Sequence, residues 1–409
     1  MKKNKFLSLT IFISIFTISF FHLSCDNSSG PESVVSGIIH NEFHVPLSNV
    51  KVSTQGKTVL TSEDGSFNLS GISIPYDLTV SDSAFNLNTD IYKGLSASYL
   101  ELGFNKYPDI NYYAYINAEL PVEIFQQDII CKVIFSDKEF TNIYSTLLSP
   151  NQNAILQVPV FNNVINGKVH VLTYKTDSSH RILSYENYGT SPEIVLNRGN
   201  VVNYIFTNDQ LSLNPGEKDV ECNIEPNNFS SLNSFYLTFS PKNYLYINST
   251  FSQLTGNNFQ VKIPTGIPDA FYSVVNYNVG STSGNISLVP NTNYIKVNSP
   301  CELISPPNNA ADVNNSTPFS FSAGEGSGIY EITIFNNVSG ANYKIFTTEN
   351  NFTLNGLEET GNENFSGDNF TWFVSKKGTF STVNDYAVNK FKIQNPFVSQ
   401  SQNGFFTFK

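Results

Sequence analysis

Charge is scarce in this sequence. Charged residues make up 14% of 409, well below the quarter usual for a soluble domain, and 23 bases stand against 34 acids for a net charge of −11. A chain of that sign repels phosphate, so the shortage of base excludes nucleic acid as a partner. Tryptophan occurs once, too little for the ring platforms on which sugars usually stack. Beyond the first 24 residues no apolar run approaches the roughly 20 residues of a spanning helix, and none keeps a 3.6-residue apolar period. Also missing are His-Glu-x-x-His, Gly-x-Ser-x-Gly, a Walker loop and a Gly-x-Gly-x-x-Gly ahead of a helix. Nothing therefore marks a catalytic residue, a cofactor or a metal site.

What is present is apolar and aromatic, at 40% and 14% of the residues, enough to bury several cores and to exclude wholesale disorder. A mass of 45.5 kDa fits two to four domains. The chain opens with Lys2, Lys3 and Lys5, an apolar stretch from Phe6 to Phe21, and His22-Leu23-Ser24-Cys25. That is the build of a secretory signal over residues 1–24. A small residue before a cysteine at this point resembles the lipobox of bacterial lipoproteins, although His22 stands where that family usually has Leu. The resemblance implies that Cys25 becomes the acylated N-terminus and ties the chain to a membrane, where more than one acyl chain holds firmly. Removing residues 1–24 takes away three lysines and no acid, so the mature chain carries −14 and relies on its lipid alone. Residues 25–33 are small and polar, as a linker should be.

From Val34 onward, short alternating runs separated by turns predict antiparallel strands: Val35–Ile39, Pro46–Val52, Lys57–Leu60, Ser66–Leu69 and Tyr76–Val80, with Asp64-Gly65 suited to a tight hairpin. Val35-Ser36-Gly37, Pro46-Leu47-Ser48-Asn49-Val50-Lys51-Val52, Thr61 to Gly65-Ser66-Phe67 and Tyr76-Asp77-Leu78-Thr79-Val80 follow in order. Together they resemble the carboxypeptidase-regulatory-like domain, a small transthyretin-like β-sandwich. The resemblance implies a non-catalytic module over residues 34–110.

The middle of the chain repeats. Cys131–Lys138 matches Phe235–Lys242, Gln157-Val158-Pro159 matches Lys262-Ile263-Pro264, and His170–Tyr174 matches Ser273–Tyr277, at offsets between 103 and 105. A spacing near 100 is the size of one Ig-like sandwich. Two tandem copies are predicted, over residues 111–213 and 214–299. After Ser299, Leu303–Pro307, Thr317–Ser322, Tyr330–Ile334, Tyr343–Ile345, Asn351–Leu354 and Asn369–Val374 are evenly spaced strands. Their Ser-Pro-Pro opening, Tyr-x-Ile-x-Ile strand and Phe-x-Trp strand resemble a bacterial fibronectin type III or related Ig-like domain over 300–409, with Trp372 as a core anchor. The fold class expected is all-β, tandem sandwiches in an elongated arrangement.

Several side chains invite a functional reading and fail it. His40 and His44 have a metal spacing on a helix but sit between strands, and His170 alternates within a strand as a packing residue would. The Glu358-Glu359 pair, Asp90 and Glu101 read as solvated turns. Cys131, aligned with Phe235, reads as a small buried apolar residue. No structural disulfide is expected from Cys131, Cys222 and Cys301. Asn111–Tyr115 and Tyr244–Tyr246 are candidates for a binding platform, against cross-strand pairing within sheets. The function expected is a membrane-tethered, non-catalytic structural, adhesive or binding element at the outer membrane or cell surface. The alternatives are a glycan- or peptide-binding accessory of an outer-membrane uptake system, or an enzyme whose site gathers scattered loop residues around acids or His170.

Overall fold

Strand follows strand because apolar and polar residues alternate: in Tyr113–Glu119, Ala114, Ile116 and Ala118 are buried while Tyr115 and Glu119 face outward. A computed structural model describes residues 33–409 apart from 42–44, 83–87, 107–112, 123–128, 138–141, 148–152, 161–162, 179–180, 213, 226–231, 239–244, 251–257, 268–270, 279–280, 288–292, 297, 355–365, 379 and 391–396. Within 142–147, 222–259 and 271–296, and at 397–398, it describes the backbone.

The first set of strands is β1 (Ser33–His40), β2 (Val50–Thr54), β3 (Lys57–Leu60), β4 (Ser66–Ile72), β5 (Tyr76–Asp82), β6 (Asn88–Leu95) and β7 (Tyr99–Gly103). The second is β8 (Tyr113–Glu119), β9 (Ile129–Asp137), β10 (Asn142–Leu147), β11 (Ala154–Pro159), β12 (Val164–Thr176), β13 (Ile182–Thr190), β14 (Ile194–Asn197) and β15 (Val201–Ile205). The third is β16 (Glu217–Glu225), β17 (Leu232–Thr238), β18 (Leu245–Thr250), β19 (Asn258–Pro264), β20 (Phe271–Asn278), β21 (Ser281–Ser287) and β22 (Asn293–Lys296).

All three sets share one strand order. One sheet runs β4-β1-β7, β11-β8-β15 or β19-β16-β22, and the facing order is β3-β2-β5-β6, β10-β9-β12-β13 or β18-β17-β20-β21. In each, the opening strand is antiparallel to one neighbour and parallel to the last strand. The register repeats too, with Ile116 opposite Leu156 and Val220 opposite Val261. Cys131 and Phe235 lie on β9 and β17, Pro159 and Pro264 end β11 and β19, and Tyr174 and Tyr277 lie on β12 and β20. The sequence matches join only the middle two sets; the strand order extends the kinship to the first.

Two backbone positions explain local choices. A Cβ on Gly37 would lie 2.0 Å from the Leu100 carbonyl oxygen, so glycine lets β1 and β7 run side by side. Gly65 has φ +74°, the left-handed turn expected of Asp64-Gly65. That turn is not a hairpin, however: β3 pairs with β2 and β4 with β1, so it carries the chain from one sheet to the other. The tight hairpin is Gln55-Gly56, with φ of 47° and 74°, between β2 and β3.

The last set is β23 (Leu303–Ser305), β24 (Ala310–Val313), β25 (Phe319–Phe321), β26 (Ile329–Asn336), β27 (Asn342–Thr347), β28 (Asn351–Phe352), β29 (Asn369–Lys377), β30 (Phe397–Gln400) and β31 (Gly404–Phe408), with helix α1 (Val383–Asn389) between β29 and β30. The β23-β25-β28 sheet packs on the other strands through Phe319, whose ring meets Trp372 edge-on at 5.1 Å and Phe406 edge-on at 5.4 Å. Trp372 is fully buried, the anchor its sequence context predicts.

This last sandwich does not stand alone. β27 pairs in parallel with β6, from Asn342 opposite Asn88 to Phe346 opposite Tyr92. Among the described residues the result is one sheet of ten strands, β24-β31-β29-β26-β27-β6-β5-β2-β3 with β30 on β29, formed from the first and last sets together. The architecture is all-β apart from short helical turns, with sandwiches as its units.

Candidate functional site

The joint between the first and last sets gathers the strongest chemistry in the molecule. Alternation along β6 turns Asp90 and Tyr92 to one face, while Ile91 enters the core of the last sandwich. Across the ladder Tyr92 faces Phe346, and Phe346 faces Glu331 on β26. α1 closes over this row. Thr382 caps the helix by accepting from the Asp385 amide at 3.1 Å, and Val383, Tyr386 and Ala387 form the buried stripe. The Tyr386 ring lies tilted 4.8 Å from Phe346, which stacks 4.9 Å from Tyr92.

Charge is buried in this apolar setting. Lys390, just past α1, places Nζ 2.5 Å from Asp90 Oδ2, with side-chain exposures of 7% and 6%. The same ammonium lies 5.1 Å above the Phe346 ring. Glu331 receives Lys377 Nζ at 3.4 Å and the Tyr386 hydroxyl at 3.4 Å. Burial pulls the Lys390 amine below its usual range, against the pull of Asp90. Burial pushes Glu331 upward, but Lys377, Lys344 and Lys390 together outweigh it and the net shift is downward. Burial, reinforced by Asp90 and Glu331, lifts both the Tyr92 and Tyr386 phenols well above theirs. Outside the charged row, Asn384 of α1 accepts from the Ser96 and Ala97 amides at 3.1 and 3.3 Å.

Asp90 is thus not a solvated turn: it sits in a strand, buried against a lysine 300 residues away. Glu101 also belongs to a strand, β7, with one carboxylate oxygen 3.7 Å from His40 Nε2. His40 is buried, and its Nδ1 bonds the Asn41 carbonyl at 2.8 Å. Cys25, His44, His180, Tyr244 and Glu358-Glu359 lie outside the described residues. Cys131 and Cys301 are buried free thiols, and burial pushes Cys131 up to about 12. Among the described residues no three His, Cys, Asp or Glu side chains cluster as metal ligands.

His170 has the most enzyme-like neighbours. Its Nε2 is 3.0 Å from Ser136 Oγ and its Nδ1 2.9 Å from the Tyr188 hydroxyl. Burial, aided by the charge of Lys168, lowers the imidazole to about 4. A base that weak sits far from the pKa near neutrality that proton abstraction favours. The trio acts as a polar pin joining β9, β12 and β13.

Of the tyrosine platform the side chains of Tyr113, half-buried on β8, and Tyr115 are described. Tyr115 is the exposed one. It lies on the outer face of β11-β8-β15, 37% exposed, opposite Gln157 and Val201, with Ile155 at 63%, Val201 at 56% and Ile205 at 64% nearby.

The chain matches no protein-family model and no curated protein sequence. Among solved structures it is similar to the Bacillus anthracis TIE protein, at 12% identity over 65% of this chain and a TM-score of 0.17. It spans about half of that protein, 49%. It is also similar to a tetra-tandem repeat from the extending region of a large adhesion protein, at 9% identity over 92% of this chain and 99% of the other, TM-score 0.17. A third is the FN1–FN3 segment of chicken CNTN1, at 10% identity over 82% and 94%, TM-score 0.18. Likeness at these scores carries no inference about what the chain binds.

Proposed function

We propose that the chain is an exported lipoprotein, tethered through Cys25, that serves as a non-catalytic structural or adhesive element at the outer membrane or cell surface. The observation that carries this reading is the opening sequence, Lys2-Lys3-x-Lys5, Phe6 to Phe21 and Ser24-Cys25, placed just ahead of a chain built of sandwiches. The strand order of the first set supports the transthyretin-like resemblance, and the pairing of the last supports the Ig-like one. Residues 26–32 separate the cysteine from β1 and reach at most about 25 Å when extended. The first sandwich, and the last joined to it, then work close to the membrane. Metabolic labelling with a fatty-acid probe tests the tether: label on the wild type and none on Cys25→Ala supports it, and equal label on both rejects it.

The face around Tyr115, Ile155, Val201 and Ile205 favours a second reading, binding of a glycan or peptide. Arrays probed with the full chain and with Tyr115→Ala separate the two, because a purely structural element gives no signal that depends on Tyr115.

A further inference from the structure

The Asp90–Lys390 contact is the most deeply buried ion pair in the described structure, and it joins the two sandwiches that share a sheet. We propose that this pair is a modification site, at which the Lys390 amine condenses with the Asp90 carboxyl to form an amide cross-link between the first and last sandwiches. The proposal stands independently of the tether at Cys25.

Three features carry it. The amine contacts the carboxyl group it would attack, Nζ 2.5 Å from Oδ2, held by a helix on one side and a five-residue parallel ladder on the other. Fixing two reactants in this way supplies effective concentrations on the order of 10⁵–10⁸ M. The pair is also buried, beside the rings of Tyr92, Phe346 and Tyr386. In water the charged partners are favoured by hydration, and bulk water returns an amide to them; burial removes the first advantage and withholds the second reactant. Finally, burial favours the neutral, nucleophilic amine of Lys390, in the direction that condensation requires.

The step balances without oxidant or cofactor. One proton passes from the ammonium to the carboxylate, giving amine and carboxylic acid. The nitrogen lone pair forms the N–C bond at Asp90 Cγ, the bond from Cγ to the hydroxyl breaks, and that hydroxyl leaves as water with one hydrogen of the amine. Lys344, opposite Asp90 on β27, and Glu331, Lys377, Tyr92 and Tyr386 are the other charged or titratable groups around the pair.

The test is peptide mapping of the folded full-length chain, digested under denaturing conditions and read by mass spectrometry beside Lys390→Arg. Arginine keeps the positive charge for an ion pair but has no amine to condense. The expected wild-type result is a branched peptide joining the Asp90 and Lys390 segments, lighter than the two together by one water, and absent from Lys390→Arg. Denatured wild type then migrates as a closed loop, apart from the variant. Linear peptides carrying unmodified Asp90 and Lys390 in the wild type overturn the proposal. That readout needs no variant, so a failure of Lys390→Arg to fold leaves it intact.

Discussion

Two junctions in this molecule are built by different rules. Where the first sandwich meets the last, backbone ladder, core and charge all cross the boundary: β6 pairs with β27, one buried cluster includes Leu78, Tyr92, Phe346 and Tyr386, and Lys390 reaches Asp90. Where the second meets the third, the described contacts are few and polar. The Tyr185 hydroxyl donates to the Lys262 carbonyl at 2.8 Å, the Tyr185 amide to Glu217 at 3.3 Å, and Lys262 pairs with Glu217 and Asp219 near solvent. The second and third sandwiches are joined by a few polar contacts, whereas the first and last, farthest apart in sequence, are fused. A shared core makes two sandwiches one cooperative unit, and a few polar contacts do not.

The largest expected effect is Phe346→Ala. It removes the ring between Tyr92 and Tyr386 and should cost about 3–5 kcal/mol. Denaturant unfolding followed by fluorescence of Trp372, the one tryptophan in the chain, measures it. A sharper version tests coupling. Leu78→Ala, in the core of the first sandwich, should cost about 2–5 kcal/mol and shift the Trp372 transition, although Trp372 lies in the last. Leu156→Ala, in the second sandwich, should leave that transition where it is. A Trp372 midpoint indifferent to Leu78→Ala breaks the comparison.

Acid should separate the regions again. His170 titrates at about 4 in the fold against the ordinary 6.5, so between these values the unfolded chain binds more protons. The second sandwich therefore holds its full stability above 6.5 and loses about 3 kcal/mol as pH falls to about 4, with no further loss from this group below. Hydrogen exchange of β9 and β12 across that window reads the slope, which His170→Gln should flatten.

The strands were legible because burial follows alternation. Val35–Ile39 lies within β1 and Ser66–Leu69 within β4, each with alternate residues buried. Cys131 was legible through its alignment with Phe235, and Trp372 through the Phe-x-Trp strand. The joint was not, since Asp90 among Asn88, Thr89 and Tyr92 reads as a solvated turn until its partner arrives from residue 390. Sequence carries period and turn chemistry but not which distant edges meet. α1 did leave a local sign: Thr382 three residues before Asp385, with Val383, Tyr386 and Ala387 at helical spacing. At seven residues it is too short for a sustained period to reveal. The likeness of the first set to the two behind it resides in strand pairing, which different sequences can share without matching letters.

The smallest effect concerns the light junction. Tyr185→Phe keeps the ring, which lies 6.1 Å from Tyr174, and removes only the hydroxyl that donates to Lys262. A single neutral hydrogen bond contributes about 1 kcal/mol, and this one is only partly buried. The change should therefore leave the stability of each sandwich within about 1 kcal/mol while loosening the second from the third. Limited proteolysis between β15 and β16, the chain that links them, reads that loosening as faster cleavage, with the Trp372 transition unmoved. If Tyr185→Phe instead shifts that transition as far as Leu78→Ala does, the two junctions are equally cooperative and the contrast between them disappears.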